Sequence, residues 1–352
     1  MINVLIVEDS QVVQQFIEQV LGSDPAIRVA GVASNGEEAL AMLQFRKPDV
    51  ITMDAHMPKM DGFETTRRIM ESYPVPIVIV SASWYPHEVE KTFQAMQAGA
   101  VAVVEKPVGV GHPNHAAMAK KLTEIVKLMA EVKVVRRTRS RQPVSAIPSP
   151  PLLTEHATGP VNVVAIGAST GGPPVLLTIL SLLSKDFLAP LLIVQHIAEN
   201  FLSGMADWLT KETSVPVHVA TRAERPLPRH AYLAPDGYQM GVTPDGSIGL
   251  VDAAPEHNAR PSVSYLFRSV ARVFGKTAIG VLLTGMGKDG ARELKEMKNR
   301  GALTIAQDRD TAVVHGMPGE AIGLGGATLV LPPESIAAVL NQISDAEKRG
   351  RP

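Results

Sequence analysis

The chain has 352 residues, a formal charge of −1, 45% hydrophobic and 20% charged residues, and no cysteine. At roughly 150 residues per domain this is about two domains with real cores, and the composition excludes global disorder, a collagen-like repeat and a coiled-coil rod. The balanced charge leaves no whole-molecule basic field for nucleic acid, and the lack of cysteine removes disulfides, cysteine-ligated zinc and thiol nucleophiles.

The opening MINVLIVEDS has no basic region and reads as a strand rather than a signal peptide. No apolar run reaches the roughly 18 residues of a spanning helix, so the expected location is the cytoplasm, without direct membrane insertion. From here to about residue 128, β-rich runs begin near Ile2, Ile27, Asp49, Pro76 and Val101, each followed by a helical period. In the first helix Ser10 is placed to cap, Val12, Val13, Phe16, Ile17, Val20 and Leu21 share a face, and Gly22 ends it. Strands such as VLIV and PIVIV are apolar throughout, as in a parallel sheet covered on both faces. Right-handed crossovers then predict a doubly wound (βα)5 domain.

Ligands of such sheets bind beyond the carboxyl ends of the strands. There the sequence puts Glu8 and Asp9 after the first strand, Asp54 after the third, Ser81 after the fourth and Lys106 with Pro107 after the fifth. Carboxylates crowded at one edge repel, and a hard divalent cation such as Mg²⁺ neutralises them. A lysine and a hydroxyl nearby suit a phosphoryl group accepted by a carboxylate. Taken singly, Asp9 and Ser10 could merely start a helix, Ser81 cap another and Lys106 lie on the surface. Their convergence favours the functional reading.

In the order IVEDS, ITMDAHMPKMDG, IVIVSAS and EKP, residues 1–128 resemble a response-regulator receiver domain. The resemblance implies Asp54 as phosphoacceptor and Asp9 and Asp54 as direct Mg²⁺ ligands. It adds Glu8 through water and the His56 carbonyl, with Ser81 and Lys106 sensing the phosphoryl group. Glu8 stands where Asp is frequent and Val103 where an aromatic switch residue is common.

Residues 129–160 read as a helix end and interdomain linker, rich in proline and carrying Lys133, Arg136, Arg137, Arg139 and Arg141. From 161 to 345 strands and helices alternate again through VNVVAI, LLIVQ, AIGVLL and ALTIA, predicting a second α/β domain with a mostly parallel sheet. It offers no recognition helix for DNA bases.

Ser169 in GASTGG, His196 in IVQH and Asp289 in LLTGMGKDG are each read as following a strand, so neighbouring strands would bring them to one edge. His196 would take the Ser169 proton and Asp289 would orient the imidazole, while glycines near Ser169 admit substrate and a helix start aims amide donors at developing negative charge. GASTGG could instead be a phosphate-binding turn, Asp289 a helix cap, and His315 in VVHGMPGEA the base. No HExxH-type metal spacing is present.

The series AIGASTGGP, QHI, YLAPDGY, HNARPSV, LLTGMGKDG, AQD and GMPGEA is similar to that of chemotaxis-type protein-glutamate methylesterases, the CheB family. The resemblance implies a Ser169, His196 and Asp289 triad, an oxyanion hole using the Met286 amide with Thr170 beside it, and no cofactor in this domain. It implies hydrolysis of glutamate γ-methyl esters on the cytoplasmic part of chemoreceptors to glutamate and methanol, with receptor glutamine deamidation as a related activity. The implied partners are that receptor and a histidine kinase. The expected control is a receiver that covers the Ser169 cleft until Asp54 is phosphorylated. The competing class is a phosphorylation-gated binding module without turnover. Ser264 stands where the family usually has Asp, and Gln239 is read in a loop where His is frequent. Neither is expected to touch the triad.

Overall fold

The computed structural model describes residues 1–81, 86–132, 134, 161–197 and 199–349. The chain forms two compact units, Met1–Arg141 and Gln142–Pro352. The basic, proline-rich stretch read as a linker, including Lys133, Arg136, Arg137, Arg139 and Arg141, lies outside the described residues.

The first unit alternates β1 (Ile2–Val7), α1 (Gln11–Gly22), β2 (Ile27–Ala33), α2 (Gly36–Leu43), β3 (Val50–Met53), α3 (Gly62–Ser72), β4 (Ile77–Ser81), α4 (Pro86–Ala98), β5 (Ala102–Glu105) and α5 (His115–Ala130). All pairings are parallel in the order β2-β1-β3-β4-β5. The order reverses between β1 and β3, which opens a crevice at their carboxyl ends. β3 and β4 are buried along their whole length, as their mostly apolar sequences VITM and IVIVS, with Thr52 and Ser81 as buried polar members, allow. Two local expectations differ. Val12 is 78% exposed, because the buried stripe of α1 is Ile17, Val20 and Leu21 and Val12 falls outside it. The Ser10 hydroxyl makes no capping bond, and the Ser10 N–H instead donates to Glu8 Oε1 (3.3 Å).

The second unit comprises β6 (Val163–Ala168), α6 (Gly172–Leu182), β7 (Leu191–Gln195), α7 (Glu199–Glu212), β8 (Val217–Val219), β9 (Ala231–Leu233), β10 (Gln239–Val242), β11 (Ile248–Val251), α8 (Val263–Val273), β12 (Ala278–Leu282), α9 (Ala291–Asn299), β13 (Leu303–Gln307), α10 (Met317–Gly323), β14 (Leu329–Leu331) and α11 (Pro333–Arg349). Seven strands form one parallel sheet in the order β14-β13-β12-β6-β7-β9-β8, and β10 and β11 pair as a separate antiparallel ribbon. The chain builds outward from β6 through β7, then returns to lay β12 on the other side of β6. β6 is therefore the switch point, and its carboxyl end faces the crevice. One face of the sheet is sealed by Val263, Leu266, Phe267 and Val270 of α8, Leu294 and Met297 of α9 and Met317 of α10. These three helices hold the loops that reach over the β6 and β12 ends.

Candidate active site and phosphoacceptor site

Ser169 follows β6 and His196 follows β7, and the register pairs Ala168 with Gln195, so the two side chains leave adjacent strand ends. Asp289 does not follow its strand directly. β12 ends at Leu282, and Asp289 sits at the far end of the loop into α9. That loop brings its Oδ2 to 3.0 Å from His196 Nε2, off the line of a well-directed hydrogen bond. Nε2 is thus the imidazole nitrogen turned to the carboxylate, and among the described residues no hydrogen bond joins the Ser169 hydroxyl to the ring.

Asp289 is almost fully buried and receives hydrogen bonds from the Ser262 hydroxyl (2.8 Å), the Val263 N–H (2.7 Å) and the Ser264 N–H (2.9 Å). Burial alone would raise its pKa, but His196 and the Ser264 bond outweigh that and lower it to about 2. The helix-cap reading fails, because Gly290 occupies the N-cap of α9 and Asp289 turns away to His196. Ser264 and Gln239 require a correction. The Ser264 N–H bonds Asp289 directly, and its hydroxyl accepts from Gly290 N–H (2.9 Å) and donates to Glu293 (2.6 Å). Gln239 lies in β10 rather than a loop, and its Oε1 accepts from Ser262 N–H (2.8 Å). Both departures therefore sit in the shell that fixes Asp289.

The glycines of GASTGG also have a different use from the one expected. A Cβ on Gly172 would lie 2.0 Å from Gln195 Oε1, and one on Gly171, at φ +79°, would lie 2.6 Å from Val313 Cβ. Their missing side chains admit the protein's own residues. Beyond Ser169, the N–H groups of Thr170 and Gly171 find no acceptor among the described residues, and neither does that of Met286. Thr284 connects these two donor segments. Its N–H donates to Gln307 Oε1 (2.8 Å) and its hydroxyl lies 2.9 Å from the Thr170 carbonyl. His315 pairs with Gly285 in an isolated bridge but has no carboxylate ion-pair partner among the described residues, which leaves His196 as the imidazole with an orienting acid. Sequence reading missed Gln195, Ser262, Thr284 and Gln307. Each stood inside a quoted motif, but a buried amide or hydroxyl has no signature until its partner is located.

In the first unit, Glu8, Asp9 and Asp54 each offer an oxygen within 4.8 Å of the others. Lys106 Nζ reaches Glu8 (2.8 Å) and Asp54 (2.9 Å). Burial and the Asp54 charge push Glu8 up to about 7, against the pull of Lys106. The Lys106 ammonium, opposed by burial, is nonetheless raised by the two carboxylates. A carboxylate this oversupplied with negative charge, in an all-oxygen set, fits a hard divalent cation. The His56 N–H approaches Asp54 Oδ1 (3.3 Å), and Ser81, buried at the end of β4, shares the same sheet edge.

Fold and sites together define a class, a phosphoacceptor-type receiver joined to an α/β domain with Ser, His and Asp at its switch point. The model of the response regulator receiver domain matches residues 4–117, and that of the CheB methylesterase matches residues 164–340. A protein-glutamate methylesterase/protein-glutamine glutaminase of Nitrosospira multiformis is 55% identical over 97% of this chain and 97% of its own length. One of Syntrophus aciditrophicus, bearing the same name with the number 1, is 55% identical over 98% of this chain and 99% of its own. The CheB methylesterase catalytic domain of Thermotoga maritima superposes with a TM-score of 0.51 at 34% identity, covering 53% of this chain and all of that one. The chain belongs to the CheB methylesterase family.

Proposed function

We propose that the chain is a phosphorylation-regulated protein-glutamate methylesterase that also acts as a protein-glutamine glutaminase. The observation that carries the reading is the His196–Asp289 approach of 3.0 Å beside the strand end that bears Ser169. Ser169 Oγ attacks the γ-carbonyl carbon of a methylated glutamate while His196 Nδ1 takes its proton, and Asp289 stabilises the resulting imidazolium. The free N–H groups of Met286 and the Thr170 segment face the oxyanion that forms. The imidazolium returns its proton to the leaving methoxide, releasing methanol. Water, deprotonated by the same imidazole, then splits the acyl-enzyme to glutamate and free Ser169. A glutamine side chain follows the same steps with ammonia as leaving group. The domain bounds are taken as 1–128 for the receiver, 129–160 for the connection and 161–345 for the esterase.

In the receiver, Asp54 is the phosphoacceptor, and Asp9, Asp54, Glu8 through water and the His56 carbonyl would hold Mg²⁺. When bound, the ion supplies charge neutralisation for the phosphoryl oxygens. Lys106 and Ser81 contact the phosphorylated carboxylate. The substrate is the cytoplasmic part of a chemoreceptor, the phosphodonor a histidine kinase, and the location the cytoplasm. Among the described residues no helix is long and apolar enough to cross a membrane.

The test is methanol release from methylated receptor fragments by wild type and Ser169→Ala, with and without a small phosphodonor and Mg²⁺. Ser169-dependent release that rises with phosphodonor is expected. No release from several receptors, with Asp54 shown to be phosphorylated, would move the assignment to a binding module.

A further inference from the structure

The buried side chain of Gln195 takes no part in the mechanism above, yet it touches both loops that carry it. Its Nε2 donates to the Ser169 carbonyl (2.8 Å) and to the His196 carbonyl (3.0 Å), so both amide protons go to the residues proposed as nucleophile and base. Its Oε1 is buried with no hydrogen-bond partner. A buried amide left half-satisfied costs stability, and an apolar side chain of the same length would avoid that cost. What the amide supplies is register. The parallel ladder between β6 and β7 ends at the pair Ala168 and Gln195, and its last backbone bond is His196 N–H to Ala168 O (2.9 Å). Past that rung the chains part, one into α6 and the other towards α7. The two Gln195 amide bonds span the gap where the next rung would fall. Gly172 belongs to the same device, since any side chain there would occupy the place of Gln195 Oε1.

We propose that Gln195 is a positioning residue for the esterase, a side-chain rung that ties the Ser169 and His196 backbones together where the β6–β7 ladder ends. The proposal rests on the serine-esterase reading, and it stands on separate contacts from those that orient Asp289. Loss of the rung leaves binding of the receptor intact but spoils the near-attack geometry, so the effect falls on kcat rather than KM.

The experiment uses the full chain and compares wild type, Gln195→Met and Gln195→Glu. Each is assayed for methanol release across pH and for the rate at which a fluorophosphonate labels Ser169, with thermal unfolding as the control for folding. Gln195→Met is expected to lose about 10- to 100-fold in kcat and in labelling rate, with KM within about twofold. Gln195→Glu, whose ionised form presents no donor to the two carbonyls, is expected to regain labelling relative to wild type as pH falls and a donor returns. A merely structural role predicts that any such recovery follows the melting temperature, whereas the rung predicts recovery in protein that is folded throughout. Labelling and kcat at wild-type levels in a folded Gln195→Met protein would overturn the proposal. Gln195-dependent labelling in a wild type that releases no methanol would uphold the rung and sink the receptor esterase. A Ser169 that neither labels nor turns over in wild type would sink both.

Discussion

Asp289 gathers three hydrogen bonds and an imidazole around one carboxylate, and its pKa of about 2 makes that arrangement sensitive to acid. The folded value lies below the unfolded 3.8, so the stabilisation is present above about pH 4 and is lost as pH falls towards 2. At roughly 1.4 kcal/mol per pKa unit this is on the order of 2 kcal/mol, and Asp289→Asn should flatten that part of the acid unfolding curve. The same substitution should lower kcat by about 10³- to 10⁴-fold, because the amide cannot hold the required tautomer. Glu8 has the opposite sign. Its folded value of about 7 exceeds the ordinary 4.5, so its presence costs stability as pH rises from about 4.5 to 7. Glu8→Gln should therefore raise the melting temperature at pH 8 without divalent cation while weakening Mg²⁺ binding, both measurable by calorimetry. The placement of Ser169 and His196 at neighbouring strand ends, and of Glu8, Asp9 and Asp54 at one sheet edge, was legible in the sequence because apolar strand runs end just before them, whereas Asp289 reaches His196 through a loop. The roles of Ser264 and Gln239 were not. A backbone N–H bonded to Asp289 and an amide bonded to Ser262 are contacts between distant segments, and no local spacing encodes them.

α8 shows how an element transmits core packing to the site. Its first turn points the Val263 and Ser264 N–H groups at Asp289, while Leu266, Phe267 and Val270 lock the helix onto the sheet. Phe267→Ala should cost about 3–5 kcal/mol in urea unfolding, and activity should fall further than unfolding alone explains because the donors to Asp289 move with the helix. The long strands were readable from their apolar runs, which two buried faces demand. The short ones were not. AYL of β9 and QMGV of β10 contain too few residues for alternation to show, and they become strands only through their neighbours. Val12 failed for a related reason, since an apolar residue near a helix start satisfies the period without reaching the core. The reach of Asp289 past the end of β12 was likewise hidden, because nothing in LLTGMGKDG marks where a strand stops and a loop turns back.

At the scale of the whole molecule, the two units carry two chemistries, and the proposed link between them is a shift in population. A ~100-fold activation requires only about 2.7 kcal/mol of differential stabilisation. Asp54→Ala, or chelation of divalent cations, should remove the phosphodonor-dependent rise in methanol release while leaving the basal rate. A chain beginning near Gly159 should exceed the basal rate of the full protein, and equal rates would exclude restraint by the receiver. That two domains of these classes lie in this order was legible because each carries its own ordered set of motifs, whereas coupling between them has no sequence signature. The strand order of the second sheet has a bearing on biosynthesis. Ser169 and His196 leave the ribosome when about half the chain is made, but β12, Met286 and Asp289 come more than a hundred residues after β6, and only their later insertion beside β6 completes the proposed site. A chain that stops short of β12 thus carries the proposed serine and histidine without the proposed acid or the Met286 amide, and the esterase chemistry proposed for the unit becomes available only once its last third is made.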